Sequence, residues 1–303
     1  MPAFLQRRTP TLAERLGFRA DDRILMIHAD DAGMCHSVNV ATTTAMEKGT
    51  CTSASIMVPC PWFPEIAEYC RQHPEKDFGL HLTLTSEWKH YRWTSTLPKS
   101  EAASLHDKEG FLYRSVEEQA KFGAASDVEK ELRAQIARAR EFGIKPTHVD
   151  SHMGTLFVGK FHRAYTKVAK EAGLMPMLLQ PTEARVKQAR DEFGYDALAV
   201  HKELSKENYV FLDVLKEDAF GDTLDDRRKH YHDAIKALKP GVTEFIVHLS
   251  MDDPEIRNVT GNWMRRWHEF QILMEPRTRD LIESEKIKLI GYRELSKLAW
   301  KPA

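Results

Sequence analysis

The chain has 303 residues, 42% of them hydrophobic, enough to bury one large α/β core or two small ones. Lys and Arg (44) balance Asp and Glu (45) to a net charge of −1, so no global field draws the protein to nucleic acid or to an anionic membrane. No apolar run approaches the roughly 18 residues of a membrane span. The start, M-P-A-F-L-Q-R-R-T-P, has no apolar signal-peptide stretch, so the chain as given is expected in the cytoplasm, with earlier loss of a leader left open. The cysteines Cys35, Cys51, Cys60 and Cys70 form no C-x-x-C pair and read as buried free thiols.

Residues 1–22 are a polar lead-in with a short helix around Leu12 to Leu16. The first strand, Ile24 to His28, is apolar until its last residue, and Asp30, Asp31, Ala32 and Gly33 come after it. A helix over Ser37 to Lys48 stops at Gly49. Strands over Thr52–Val58 and Phe78–Leu84 bracket a helix at Pro64–Gln72, and the second of them carries His81. Residues 85–125 break the rhythm. They are mostly polar, hold Trp88, Tyr91, Trp93 and Phe111, and show only a weak helix near Val116 to Phe122. Excursions of this length are usually lids or binding loops. A helix then runs from Ser126 or Asp127 as cap through Glu129 to Phe142, with Gly143 as stop. Strand Pro146–Asp150 leads into Ser151 and His152. Beyond it come a helix at Phe161–Ala172, strands at Leu174–Leu179 and Tyr209–Val214, and a helix at Thr223–Leu238. Strand Val242–Leu249, a long helix from Asn262 to Ile282, strand Ile287–Ile290 and a final turn at Tyr292–Leu298 complete the count.

Short apolar strands alternating with helices predict a parallel sheet with helices outside. No Gly-rich dinucleotide fingerprint comes after the first strand, which favours a distorted (β/α) barrel of seven or eight parallel strands over a doubly wound sheet. The expected organisation is the lead-in plus one catalytic barrel domain, 23–303, with the excursion at 85–125 on the active face.

In such a barrel, chemistry gathers at the C-terminal ends of strands. There this chain places Asp30, Asp31, His81, His148, Asp150, His152 and His248. Each has a bland alternative: Asp31 as a helix cap, His81 as a satisfied core histidine, His148 to His152 as a polar turn, and His248 bonded to a neighbouring carbonyl. These alternatives are independent, and convergence of several strand ends on one face makes their joint occurrence improbable. An Asp with two His suits a catalytic divalent ion with positions open for water and substrate. Mixed imidazole and carboxylate suits zinc and also cobalt, nickel or iron, while magnesium prefers mostly oxygen; the identity stays open with zinc ahead.

The segment H-A-D-D-A-G-x-x-x-S-V-N resembles the opening motif, usually N-A-D-D-F-G, of the YdjC-like (ChbG-type) carbohydrate deacetylases. G-L-H-L-T-L-T at 79–85, P-T-H-V-D-S-H at 146–152 and T-E-F-I-V-H at 243–248 are similar to later motifs of that family, in the same order. The resemblance implies a distorted (β/α) barrel, one divalent metal ion (zinc or magnesium), and removal of N-acetyl groups from amino sugars. By the same match Asp31, His81 and His152 are the metal ligands, Asp30 the base and His248 the acid, with His148 and Asp150 supporting the ligands from behind. His28 for Asn, Ala32 for Phe, Met153-Gly154 where further histidines are common, and Leu249-Ser250 for Pro-Gly depart from the pattern without removing a ligand.

The expected partner is therefore an N-acetylated sugar, with no nucleic acid and no membrane; a homodimer is compatible with the sequence. Trp88, Tyr91 and Trp93 are candidate sugar contacts, since aromatic faces pack on the C–H patches of sugars. Rival readings are a metal-dependent hydrolase of another bond, such as a phosphoester or cyclic amide, and a catalytically silent carbohydrate-binding relative.

Overall fold

The computed structural model describes residues 9–217 and 220–301; residues 1–8 of the lead-in lie outside the described residues. Its strands are β1 (Arg23–Ala32), β2 (Ser53–Ile56), β3 (Phe78–Leu82), β4 (His148–Ser151), β5 (Met175–Pro176), β6 (Val214–Glu217), β7 (Gly241–His248) and β8 (Lys288–Leu289). They form one parallel sheet ordered β5-β4-β3-β2-β1-β7-β6, with β8 paired to the start of β1. A parallel bridge between Leu179 and Leu212 then links the chain after β5 to the chain before β6. Leu212 N donates to Leu178 O (2.8 Å) and Gln180 N donates to Leu212 O (2.9 Å). The sheet is thus a curled, distorted (β/α) barrel that closes at one narrow seam.

The period-two alternation of β1 sorts its side chains into two cores. Leu25, Ile27 and Ala29 pack outward against residues such as Val38, Ala41 and Ile66 of the covering helices. Ile24 and Met26 point inward and meet Met175, Met177, Leu212, Val242 and Tyr292. Continued along the strand, the inward phase brings His28 and then Asp30 into the upper barrel, where neighbouring strands carry polar side chains.

Several elements differ from their sequence-based bounds. β1 continues through both carboxylates to Ala32, because His28 and Asp30 find polar partners across the barrel and need not leave the sheet. Of Leu174–Leu179 only Met175–Pro176 is strand, and of Tyr209–Val214 only Val214 belongs to a strand, which runs on to Glu217, while Leu212 makes the isolated bridge to Leu179. The helix expected from Ser126 or Asp127 begins at Ala125, and Asp127 instead accepts from Ser104 Oγ at 2.8 Å. The long C-terminal helix is two, Trp263–Met274 and Pro276–Ser284. Pro276 has no N–H to donate and forces Glu275 into an extended conformation (φ −70°, ψ 130°). Helices Glu183–Asp191 and Ala197–Lys206 escape the sequence reading because each buries a single side chain, Ala189 and Leu204. Helix Pro254–Val259 was likewise not expected.

Gly79 on β3 sets a steric limit on this packing. A Cβ there would lie 2.3 Å from the His148 ring on β4, and that ring is also stacked on Tyr292 at a centroid distance of 3.7 Å. Gly79→Ala must displace the imidazole, and a loss of ~1–3 kcal/mol in urea denaturation is expected. An unchanged midpoint would show that the ring has room to move.

Candidate metal centre

Two adjacent residues of a strand normally face opposite sides, so Asp30 and Asp31 should not share a site. The backbone resolves this at Asp31, which has φ +70°, and the register between β1 and β2 shifts between Ala29 and Ala32. This left-handed residue at a bulge turns Asp31 back to the side that Asp30 faces. Both carboxylates then line one cavity of about 420 Å³ at the C-terminal rim, within the range of small-molecule sites. Asp31 is no helix cap: the helix over His36–Lys48 starts after Cys35, and Asp31 Oδ2 accepts from Arg266 Nη2 at 2.6 Å.

The other oxygen, Asp31 Oδ1, is buried without a well-directed hydrogen-bond partner. Donors bonded at roughly 2.0–2.1 Å to a tetrahedral ion stand about 3.3–3.4 Å apart. Asp31 Oδ1 stands 3.5 Å from His81 Nε2 and 3.3 Å from His152 Nδ1. Two further donor groups lie nearby, Asp30/His81/Asp150, which shares His81 with this one, and His28/His148/Asp150, which shares none of its residues. The first draws on His81, whose Nδ1 already donates to Asp150 Oδ1 at 2.6 Å. In the second, neither His28 nor His148 lines the cavity. Asp31, His81 and His152 therefore fit a divalent ion best.

The surrounding bonds fix these side chains. Asp150 holds the His81 ring so that Nε2 points at Asp31, the carboxylate–histidine arrangement common behind metal sites. Its Oδ2 receives His28 Nε2 at 3.0 Å, and His28 Nε2 also lies 3.2 Å from Asp30 Oδ1. Ser55 Oγ on β2 sits between them, 3.3 Å from Asp30 Oδ1 and 3.2 Å from His81 Nδ1. His152 presents its second nitrogen, Nε2, to Glu87 Oε2 at 3.1 Å. Asp30 Oδ2 stays on the open side, 3.8 Å from His81 Nε2 and 3.9 Å from His248 Nε2. His248 is paired in register with Asp30 across β1 and β7, and its backbone N–H donates to Glu269 Oε2 at 2.6 Å.

Asp30, Asp31, Glu87 and Asp150 crowd one small volume, and the cluster attracts positive charge accordingly. Burial alone would raise the Asp31 carboxyl, but the Arg266 guanidinium and His152 hold it well below the usual range. Burial disfavours an imidazolium at His152, yet Glu87 and Asp31 outweigh it and lift the group to about 10. His28, fully buried, is likewise raised well above its ordinary value by Asp150 and Asp30. A divalent cation beside His152 satisfies the same demand without a buried imidazolium ion there.

The sequence profile of the family described as YdjC-like protein matches residues 24–284. The chain belongs to the YdjC-like family. A carbohydrate deacetylase from Thermus thermophilus is 29% identical over 89% of this chain and 93% of its own length. One from Geobacillus stearothermophilus is 28% identical over 91% and 99%. A chitooligosaccharide deacetylase from Yersinia enterocolitica is 25% identical over 90% and 97%. A solved structure from Enterococcus faecalis, named for cellobiose-phosphate cleavage, has the same fold, with a TM-score of 0.75 at 23% identity over 90% of this chain and 99% of that one.

The barrel brings Asp30, Asp31, His81, Asp150, His152 and His248 to one cavity wall. His148 is withdrawn below it, stacked on Tyr292 with Nδ1 2.9 Å from Thr147 Oγ1. Among the aromatic residues of the excursion, Trp88 lines the cavity. Tyr91 and Trp93 do not, which corrects their reading as sugar contacts. Trp93 is buried, donates Nε1–H to Thr85 O at 2.9 Å, and lies behind the His152 ring at 6.2 Å. The Tyr91 hydroxyl donates to Met34 O. The Tyr91 tip fastens the excursion to the chain after β1 at Met34, and the Trp93 tip ties it to its own root at Thr85.

Sequence reasoning missed Glu87, Ser55, Arg266 and Glu244. Glu87 lies close enough behind the His81 motif to have been found, whereas Arg266 reaches Asp31 from a helix 235 residues away in sequence. Glu244 lies within the T-E-F-I-V-H motif, faces inward on β7, and accepts from Tyr292 Oη at 3.0 and 3.1 Å. Burial pushes its carboxyl up to about 8.

That shift carries a pH dependence with a definite sign. The folded state favours neutral Glu244, so its contribution is complete below the unfolded pKa of 4.5 and is lost as pH rises toward about 8. Glu244→Gln keeps a neutral acceptor and cannot ionise. The stability difference between native protein and variant should therefore move in the variant's favour by a few kcal/mol between pH 5 and pH 8, at roughly 1.4 kcal/mol per pKa unit. Chemical denaturation at both pH values measures it; a constant difference would mean that Glu244 does not titrate there.

Proposed function

We propose that the protein is a metal-dependent hydrolase that removes N-acetyl groups from amino sugars. The observation that carries this reading is the Asp31, His81 and His152 donor set at the cavity wall, with Asp30 Oδ2 and His248 Nε2 on adjacent strands 3.9 Å apart beside it. The names of the family relatives, carbohydrate and chitooligosaccharide deacetylase, support the substrate class.

A divalent ion held by these residues would lower the pKa of a water and polarise the acetamide carbonyl. Two imidazoles with one carboxylate favour zinc or another transition ion over magnesium. Asp30 takes the proton of the attacking water at Oδ2, while Ser55 and His28 hold Oδ1 and so aim the free oxygen. His248 Nε2 gives a proton to the departing nitrogen, without which an amine is too poor a leaving group for the tetrahedral adduct to collapse forward. Arg266 offsets the charge of Asp31 and leaves its Oδ1 directed at the two imidazoles. Trp88, half-buried at the cavity, offers a ring face to a pyranose.

His152→Ala or Asp31→Ala should lose bound divalent metal on dialysis, read by elemental analysis, while Asp30→Asn keeps it and loses ~10²-fold or more in acetate release. Metal retained by both ligand variants would move the centre elsewhere. The acid role of His248 has its own signature. His248→Ala should cost far more turnover on acetamides than on activated acetyl esters, whose leaving groups need no proton; equal losses on the two substrates would remove His248 from that role.

A further inference from the structure

A second cavity of about 240 Å³ adjoins the metal centre. Phe157, Met177 and Leu215 line both spaces, so these three side chains stand at their common boundary. Beyond this threshold the walls are Leu178, Phe193 and Phe211 with the inner faces of helices Glu183–Asp191 and Ala197–Lys206. Those helices are inserted between β5 and β6 and contribute little to the barrel core, burying only Ala189 and Leu204. Of their other apolar side chains, Ala197 and Val200 also line this space, whereas Leu198 is exposed.

The polar groups there are few, and the one cation among them, Arg185, is turned to backbone carbonyls. His162 is buried and held neutral, its pKa depressed to about 4 by desolvation. His201 Nε2 is engaged by Gln180 Oε1 at 3.1 Å, and Arg185 spends Nη1–H on the Gln180 carbonyl at 2.9 Å. An apolar cavity of about 150 Å³ is already enough to hold benzene and exclude water.

We propose that this side cavity receives an apolar aglycone, so that the substrate is an N-acetylated amino sugar carried on a hydrocarbon group. The inference rests on the deacetylase reading for the sugar end and on the shared wall of Phe157, Met177 and Leu215 for the other. A sugar seated at the metal centre has its non-reacting end within reach of that threshold. A free sugar or an all-carbohydrate chain has nothing to place beyond it.

The test compares octyl and methyl glycosides of N-acetylglucosamine, the former below its micellar concentration, on the metal-loaded full chain. Each methylene taken from water is worth about a four-fold factor. At least a ten-fold higher kcat/KM and a ten-fold tighter calorimetric affinity for the octyl glycoside are expected. Val200→Trp fills the cavity from a half-buried position outside the catalytic cluster. It should abolish that preference and leave the methyl glycoside unchanged. Hexanol should compete with the octyl glycoside and not with the methyl glycoside on the unmodified protein, a readout that needs no variant. Equal kcat/KM and equal affinity for the two glycosides would overturn the inference even with acetate released from both. Tighter octyl binding that Val200→Trp or hexanol removes, with no acetate from either glycoside, would uphold the cavity and refute deacetylation.

Discussion

Everything at the candidate centre depends on one backbone irregularity, the left-handed conformation of Asp31 where β1 slips register against β2. A regular strand would send Asp31 out to the helix layer, where a buried carboxylate has no compensation. The bulge keeps both carboxylates on the cavity side and separates their duties. Asp30 remains in the inward phase of the strand, bonded to Ser55 and close to His28 and His248. Asp31 turns toward His81, His152 and Arg266. A left-handed aspartate is uncommon and strained, and it persists because Arg266 from a distant helix and the strands on either side fix it.

Electrostatics explain why this arrangement demands positive charge. Burying several carboxylates together is expensive unless each is matched. Asp150 is matched by His81, His148 and His28, which outweigh its burial and keep it ionised. Asp31 is matched on one oxygen by Arg266 and on the other only by imidazoles. Imidazoles serve as metal ligands when neutral, so a proton and a metal ion compete for the same nitrogens. The carboxylates set the demand for positive charge, and the geometry of the donors favours meeting it with one ion.

Much of this was legible in the sequence, for identifiable reasons. Strands buried on both faces read as apolar runs, and a parallel barrel gathers the residues at the end of each run on one rim. His81, His152 and His248 could therefore be placed from spacing. Helix His36–Lys48 and helix Val116–Phe122 were visible in local patterning. The split at Pro276 was visible too, and its meaning was missed in favour of a long helical period. Contact between elements far apart in the chain could not be read. Arg266 and Ser55 have no local signature, because one sits among other helix-surface cations and the other among small strand residues. The aromatic cluster at 88–93 shows the same limit: composition marks the rings as notable, and only the fold separates Trp88, at the cavity, from Trp93, behind His152.

The interior of the barrel also explains how a strained site coexists with a stable fold. Its lower half is apolar, with Ile24, Met26, Met175, Val242 and Leu295 packed together. Its upper half is polar and strained. Between them lies a layer in which His148 stacks on Tyr292, Tyr292 donates to Glu244, and the edge of His28 meets both rings at 5.0 and 5.4 Å. This layer is buried yet largely neutral, since burial holds Glu244 and His148 in their uncharged forms near neutral pH. It therefore insulates the apolar floor from the charges above while supporting Asp150 and His28 from below. The floor and the helix layer carry the stability of the domain, which leaves the rim free to hold residues chosen for chemistry rather than for packing.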